Sequence, residues 1–200
     1  NILSVVGLSL KIQPGLYFGE EQDGYKIVDT DQAELRVQDE GGDSDDRSYD
    51  GADGVTLSGF VRKAAFSLRF GDVEPLSSGS IRDDSRVLMM RDVRDRVQAL
   101  APFLALDGDP YPVVLDGRIV YVLDAYTTTD RYPNAQRVSI DDDLPADSGL
   151  RGRSFNYARN SVKATVDAYD GTVTLYVTDD SDPLIVAYQR AFPDLFTPIS

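Results

Sequence analysis

Residues 103–132, FLALDGDPYPVVLDGRIVYVLDAYTTTDRY, place two apolar strands on either side of Asp116-Gly117. That dipeptide suits a type I′ hairpin, whose two central residues both need positive φ. Gly adopts it freely, and Asp tolerates it better than most residues. Pairing outward from the turn predicts Leu115 opposite Arg118, Val114 opposite Ile119 and Val113 opposite Val120. Both faces of such a ribbon are apolar, with Val114, Ile119, Tyr121 and Leu123 on one and Val113, Leu115, Val120 and Val122 on the other. The pattern predicts a hairpin covered on two sides at the middle of the domain.

A second Asp-Gly pair, Asp170-Gly171, sits in SVKATVDAYDGTVTLYVTDD (161–180), and here the alternation separates the faces. Val162, Ala164, Val166, Ala168, Val173, Leu175 and Val177 fall on one side. Lys163, Thr165, Asp167, Tyr169, Thr172, Thr174, Tyr176 and Thr178 fall on the other. This predicts a half-buried antiparallel pair whose polar face meets water, a partner or a ligand.

Around these ribbons the chain predicts further elements. LYFGE, YKIVD and AELRV read as short strands near the start. SGFVRKAAFSLRF (58–70) reads as a helix capped by Ser58, with Val61, Ala64, Ala65 and Leu68 recurring at helical spacing. Phe60, Phe66 and Phe70 give it a second apolar side, as in a helix held between the sheet and another element. Residues 86–90 read as a strand. A helix from Asp92 to Leu100 stops before Pro102 and carries Val93, Val97, Leu100 and Leu104 on its buried stripe. LIVAYQRAF, with Pro183 at a first helical position, predicts a last helix closed by Pro193. The expected fold class is α+β, a single domain with an antiparallel or mixed sheet built on the two Asp-Gly hairpins and about three packed helices. Residues 38–54 and 141–153 read as flexible loops, and 127–150 as a long exposed connection.

Composition removes several kinds of chemistry. The chain has no Cys and no His, which excludes disulfides, thiolates and every Ser-His-Asp arrangement. Its formal charge of -14 is uneven: residues 1–57 hold 4 basic and 13 acidic side chains, residues 58–135 hold 10 and 11. That balance argues against nucleic acid, whose binders displace counterions with Lys and Arg, and it disfavours docking on anionic lipid. No apolar run approaches the ~18–20 residues of a membrane span, and NILSVVGLSL lacks the basic start of a signal peptide. The chain reads as a fragment of something longer.

The candidate sites are built from aspartates. Asp107-Gly108-Asp109 is a D-x-D pattern able to grip a hard cation such as Ca2+ or Mg2+ weakly, although the same residues also make a turn. A calcium loop started at Asp46 ends on Leu57 where a bidentate Glu is required, so an EF-hand is rejected. Asp124, Tyr126, Arg159, Asn160 and Lys163 are polar residues beside apolar strands, candidates to converge as a ligand site at one end of the sheet. Caps and salt bridges are the other reading, with Asp124 paired to Arg159. Arg91, Arg94 and Arg96 with Asp92 and Asp95 read as a solvated helix face. No residue is assigned a catalytic role, and no cofactor is expected beyond such weak divalent binding.

The blocks YFGE (17–20), AAFSLRFGD (64–72), SRVLMMRDVRDRV (85–97), APFLALDGDPYPVVLDGRIVYVLDAYTT (101–128), RNSVKATVDAYDGTVTLY (159–176) and FP (192–193) resemble, in order, the uncharacterised protein family 0182. Phe103 and Tyr121 stand where that family often has Trp. The resemblance implies large bacterial membrane proteins, common in actinobacteria, with several transmembrane helices followed by a large soluble region and no established activity. On that resemblance the chain is expected to be an extracytoplasmic interaction or ligand-binding domain of a protein of the cell membrane. Its partners would then be the rest of its own protein and envelope components. The alternative is an aspartate-based, metal-assisted hydrolase of envelope carbohydrate using Asp107, Asp109 and Asp124.

Overall fold

The fold is that of a computed structural model, which describes residues 15–31, 49–138 and 143–199. AELRV, the apolar start at 1–10, and most of the acidic loop at 38–54 lie outside the described residues. Chain contacts divide the length expected to form one domain into two compact units, Gln22–Arg91 and Asn1–Glu21 with Asp92–Ser200. The mixture of sheet and helix is α+β throughout.

The smaller unit holds strands β1 (Lys26–Val28), β2 (Val55–Thr56) and β3 (Arg86–Leu88) with helices α1 (Gly59–Phe70) and α2 (Glu74–Ser77). Its strands form an antiparallel sheet ordered β1-β3-β2. Leu57, Ile81 and Val87 make its buried cluster, against which Ile27, Phe66 and Phe70 pack. Arg86 closes this unit: its guanidinium meets Asp29 at 2.9 Å and donates to the carbonyls of Tyr49 and Gly51 at 2.6 and 2.7 Å. The end of the acidic loop is thereby tied to β3.

α1 corrects one expectation. Val61 and Leu68 of the predicted buried stripe are exposed, and Phe66, Ser67 and Phe70 turn inward instead. The helix has two apolar faces, so periodicity alone cannot choose between them. The face with two aromatic side chains removes more area from water and takes the core. Ser58 takes the cap position with extended backbone, but its side chain caps nothing.

The larger unit holds α3 (Val93–Leu100), β4 (Ala105–Leu106), β5 (Tyr111–Leu115), β6 (Arg118–Thr129), β7 (Tyr157–Asp167), β8 (Val173–Val177), α4 (Pro183–Ala191) and β9 (Phe196–Pro198). The strand order is β4-β6-β7-β8-β9, with β5 also on β6; every pairing is antiparallel except the parallel β8-β9. The two ribbons are therefore neighbours through β6-β7. α3 packs on β7 and α4 on β6. Val93, Val97, Leu104, Leu123, Ala164 and Ile185 are among the buried residues of this layer. Phe103 stacks on Tyr188 of α4 at 4.3 Å between ring centres.

At the first turn Asp116 and Gly117 both have positive φ, and Leu115 pairs with Arg118 as the dipeptide requires. The hairpin is not covered on two sides, however. Tyr111, Pro112, Val114 and Leu115 are exposed, because β6 shares one edge between β4 and β5 and leaves β5 as an outer strand. At the second turn the expected faces hold along the strands, with Val162, Ala164, Val166, Leu175 and Val177 buried, but Tyr169, placed on the polar side, is buried edge-on to Tyr17. Its loop is longer than two residues: Val166 pairs with Val173, and the Asp167 carboxylate accepts from the Tyr169 and Asp170 amides. Leu100, placed on the buried stripe of α3, is exposed.

The connection after β6 is long, from residue 130 to residue 156, and residues 131–138 are exposed as its polarity suggests, but it begins later than expected and its second half carries two buried anchors. β6 continues to Thr129, and Leu150 and Phe155 bury themselves with Ala105. The charged run on α3 is also not simply solvated. Asp92 caps the helix by accepting from the Arg94 and Asp95 amides, and Arg94 donates to the Asp147 carbonyl. Arg96 donates to the Gly171 carbonyl at 2.6 Å and lies over the Phe18 ring.

Candidate functional site

The outward face of β6 and β7 gathers most of the polar residues singled out above. Asp124 pairs with Lys163, and Lys163 with Tyr176 on β8, so these three share one side of the sheet. Strict alternation would send Asn160 to the opposite side. A β-bulge prevents this: Ala125 pairs with Val162 but Tyr126 pairs with Asn160, leaving Ser161 as the extra residue. Ser161 and Val162 are consequently both buried, and Asn160 returns to the outer face beside Asp124.

There Asp124 Oδ1 accepts from Lys163 Nζ at 2.5 Å and from Asn160 Nδ2 at 2.8 Å. Burial alone would raise the Asp124 carboxyl, but the bonds from Lys163 and Asn160 outweigh it and hold the group below its usual range. The hydrogen bond to Asp124 in turn raises Lys163, against a smaller opposing effect of burial. Tyr126 packs against Ala105, Leu150 and Phe155, and burial followed by the charges of Asp107 and Asp124 pushes its phenol up. Tyr111 on β5 is close enough to add to the Lys163 shift. The result is an ionised, hydrogen-bonded centre flanked by phenol rings on a half-exposed sheet face.

Arg159 does not join it. Its register partner is Thr127, which faces the core layer, and its guanidinium meets Asp179 at 2.5 Å and Ser181 Oγ at 3.1 Å. The expected Asp124–Arg159 pair is replaced by Asp124–Lys163. In the D-x-D segment, Asp107 Oδ1 accepts from the amide of the next residue, Gly108, at 2.8 Å, while Asp109 is exposed. Among the described residues no group of three or more acidic side chains is arranged to hold a metal ion.

Two features escaped the sequence. Asp182, which caps α4, is fully buried, and its carboxylate accepts from Thr127 Oγ1 and Ser161 Oγ at 2.5 Å, Tyr157 OH at 2.7 Å and the Leu184 amide at 2.9 Å. Burial would raise this group, and the hydroxyl donors hold it below its usual range instead. The Asp-Pro pair signals the cap, but nothing local signals three hydroxyls arriving from β6 and β7. In the smaller unit, a groove of about 360 Å³ is lined by Tyr25, Lys26, Thr30, Asp72, Ser78 and Ser80 among others. Tyr25 donates to Asp72 at 2.5 Å, and burial together with that bond pushes its phenol up to about 12.

The model of the Uncharacterised protein family (UPF0182) matches residues 5–200. The chain belongs to this family. A UPF0182 protein of Frankia alni is 48% identical over 192 residues, covering 92% of this chain and 19% of the relative. Those of Nocardioides sp. and Streptomyces coelicolor are 44% and 43% identical, covering 89% and 92% of this chain and 19% of each relative. The chain thus spans about a fifth of the length of these UPF0182 relatives. No solved structure matches it. Among the described residues no helix is long and apolar enough to cross a membrane.

Proposed function

We propose that this UPF0182 segment is a non-catalytic, extracytoplasmic interaction domain of a multi-pass membrane protein, and that it takes a polar, hydroxyl-bearing envelope component on the outer sheet face around Asp124, Tyr126, Asn160 and Lys163. The observation that carries the reading is the hydrogen-bonded ion pair at the centre, where Asp124 accepts from Lys163 at 2.5 Å and from Asn160 at 2.8 Å. Asp124 is held below its usual range and Lys163 above its own, so neither group titrates near neutral pH. A general acid or base works best with a pKa close to the operating pH. A fixed ion pair beside Tyr111, Tyr126 and Tyr176 instead supplies hydrogen-bond donors, acceptors and ring faces, which suits recognition.

An aspartate-based hydrolase has less to support it, since the Asp124 carboxylate is engaged by Lys163 and Asn160 and that of Asp107 by the Gly108 amide. The test is retention of the 200-residue chain on isolated cell-wall polysaccharide, compared with Lys163→Met and Asn160→Ala. Binding that weakens at least tenfold in both variants, with no release of reducing sugar, is the expected result. Retention indifferent to both substitutions would remove the site. A phosphatase-reporter fusion at this segment of a full-length relative tests the side of the membrane, with activity outside the cytoplasm expected.

A further inference from the structure

α1 presents an apolar ridge that none of the described residues cover. Phe60 is 76% exposed, Val61 79% and Leu68 87%, and Val73 just beyond the helix is 71% exposed. On the helix, Val61 and Leu68 lie opposite the Phe66 and Phe70 side that packs inward, and Phe60 lies between the two sides. Three apolar side chains on one helix, each more than three-quarters in water, exceed what scattered surface residues explain. The charge around them is as uneven as the exposure. From residue 54 to residue 71 the chain carries Arg62, Lys63 and Arg69 and not one Asp or Glu, within a protein of formal charge -14.

We infer that α1 lies on the surface of an anionic phospholipid bilayer, with Phe60, Val61 and Leu68 entering the headgroup boundary and Arg62 and Arg69 meeting lipid phosphates. An interfacial helix has this make-up, apolar on one side and basic beside it with low net hydrophobicity. Shape favours lipid over a protein groove or helix. Side chains this exposed form a convex ridge, whereas peptide recognition needs a concave seat, and acyl chains conform to a ridge without one. A second copy is disfavoured because α1 against α1 brings Arg62 and Arg69 together with no acid on the helix to offset them. Two acids do stand close, Asp83 at 3.9 Å from Lys63 and Asp72 just beyond the helix, where it accepts from Tyr25; charges farther than about 8 Å are largely screened at physiological salt. The inference does not use the sheet-face site.

The experiment is co-sedimentation of the whole 200-residue chain with vesicles of phosphatidylcholine alone or mixed equally with phosphatidylglycerol. The expected result is binding to the anionic vesicles only, weakened by salt. It falls about fivefold for each of Arg62→Gln and Arg69→Gln and more than tenfold for the Phe60→Asp, Leu68→Asp double variant. Because these side chains are exposed, the variants should keep the parent's circular dichroism and melting temperature. The inference is overturned by no binding to either vesicle, by equal binding to both, or by binding that the double variant retains. It is equally overturned if the free chain is a dimer that the double variant dissociates, which would make the ridge a contact between copies.

Discussion

Replacing Asp182 by Ala tests the buried centre that joins α4 to β6 and β7. The side chain is 0% exposed and its carboxylate accepts from Thr127, Ser161, Tyr157 and the Leu184 amide. Loss of an N-cap costs about 1 kcal/mol. Thr127 and Ser161 are themselves fully buried, so each loses a hydrogen bond to a charged acceptor at roughly 1.5 kcal/mol and has no water to turn to. Tyr157 is only half-buried and can reach solvent. The expected loss is about 4 kcal/mol, a large part of the ~5–15 kcal/mol that holds a domain folded. In urea, with a slope of roughly 2 kcal/mol/M, the midpoint should fall by about 2 M at unchanged slope. Asp182→Asn should lose about half as much, because the amide still accepts from Leu184 and can donate to the two hydroxyls. The pH dependence has a definite sign. A carboxyl lowered on folding contributes stability above its unfolded value of about 3.9, and that contribution disappears as pH falls through the folded value. The parent should therefore lose stability below about pH 4 more steeply than Asp182→Asn. A loss under about 1 kcal/mol for Asp182→Ala would refute the reasoning, since it would mean that water replaces the carboxylate at no cost.

Three further outcomes are expected. At Gly149 a Cβ would stand 2.5 Å from the Leu106 carbonyl oxygen and 2.7 Å from its nitrogen, so Gly149→Ala should lose about 2 kcal/mol and melt roughly 4–8 °C lower in a thermal scan. An unchanged melting temperature would contradict that close approach. Arg86→Gln should cost about 2 kcal/mol and speed amide exchange over residues 49–54, where carbonyls accept from the guanidinium; unaltered protection there would count against the tie. Tyr25 should ionise near 12 in an ultraviolet titration of the folded chain. Being raised on folding, it contributes stability that is whole below its unfolded value of about 10 and lost as pH rises towards 12. A phenol titrating at the ordinary value would show that the bond to Asp72 is absent in solution.

Much of the frame was legible from residues alone. Asp116-Gly117 specified its turn and register, and the alternation from Val162 to Val177 specified which side is buried. Asp92 and Pro183 marked helix starts that the structure places at Val93 and Pro183. The second loop is longer than an Asp-Gly pair alone requires because the Asp167 side chain organises it. At the site, Asp124, Tyr126, Asn160 and Lys163 meet as grouped, while Arg159 faces the other way. The bulge at Ser161 reverses the facing of everything on one side of it relative to the other, and the residues around it carry no signal of it.

What the chain determined by itself is local: turn dihedrals, strand alternation and helix starts depend on a few neighbouring residues, whose sterics and backbone hydrogen bonds act wherever the segment finally sits. Tertiary structure decided which of two apolar faces of α1 is buried, that β5 is an outer strand, and that Lys163 rather than Arg159 partners Asp124. It also decided that Asp182 collects hydroxyls from residues 21 to 55 positions away. Those outcomes rest on burial and pairing between distant segments, where competing arrangements use the same residues and only the packed whole selects among them.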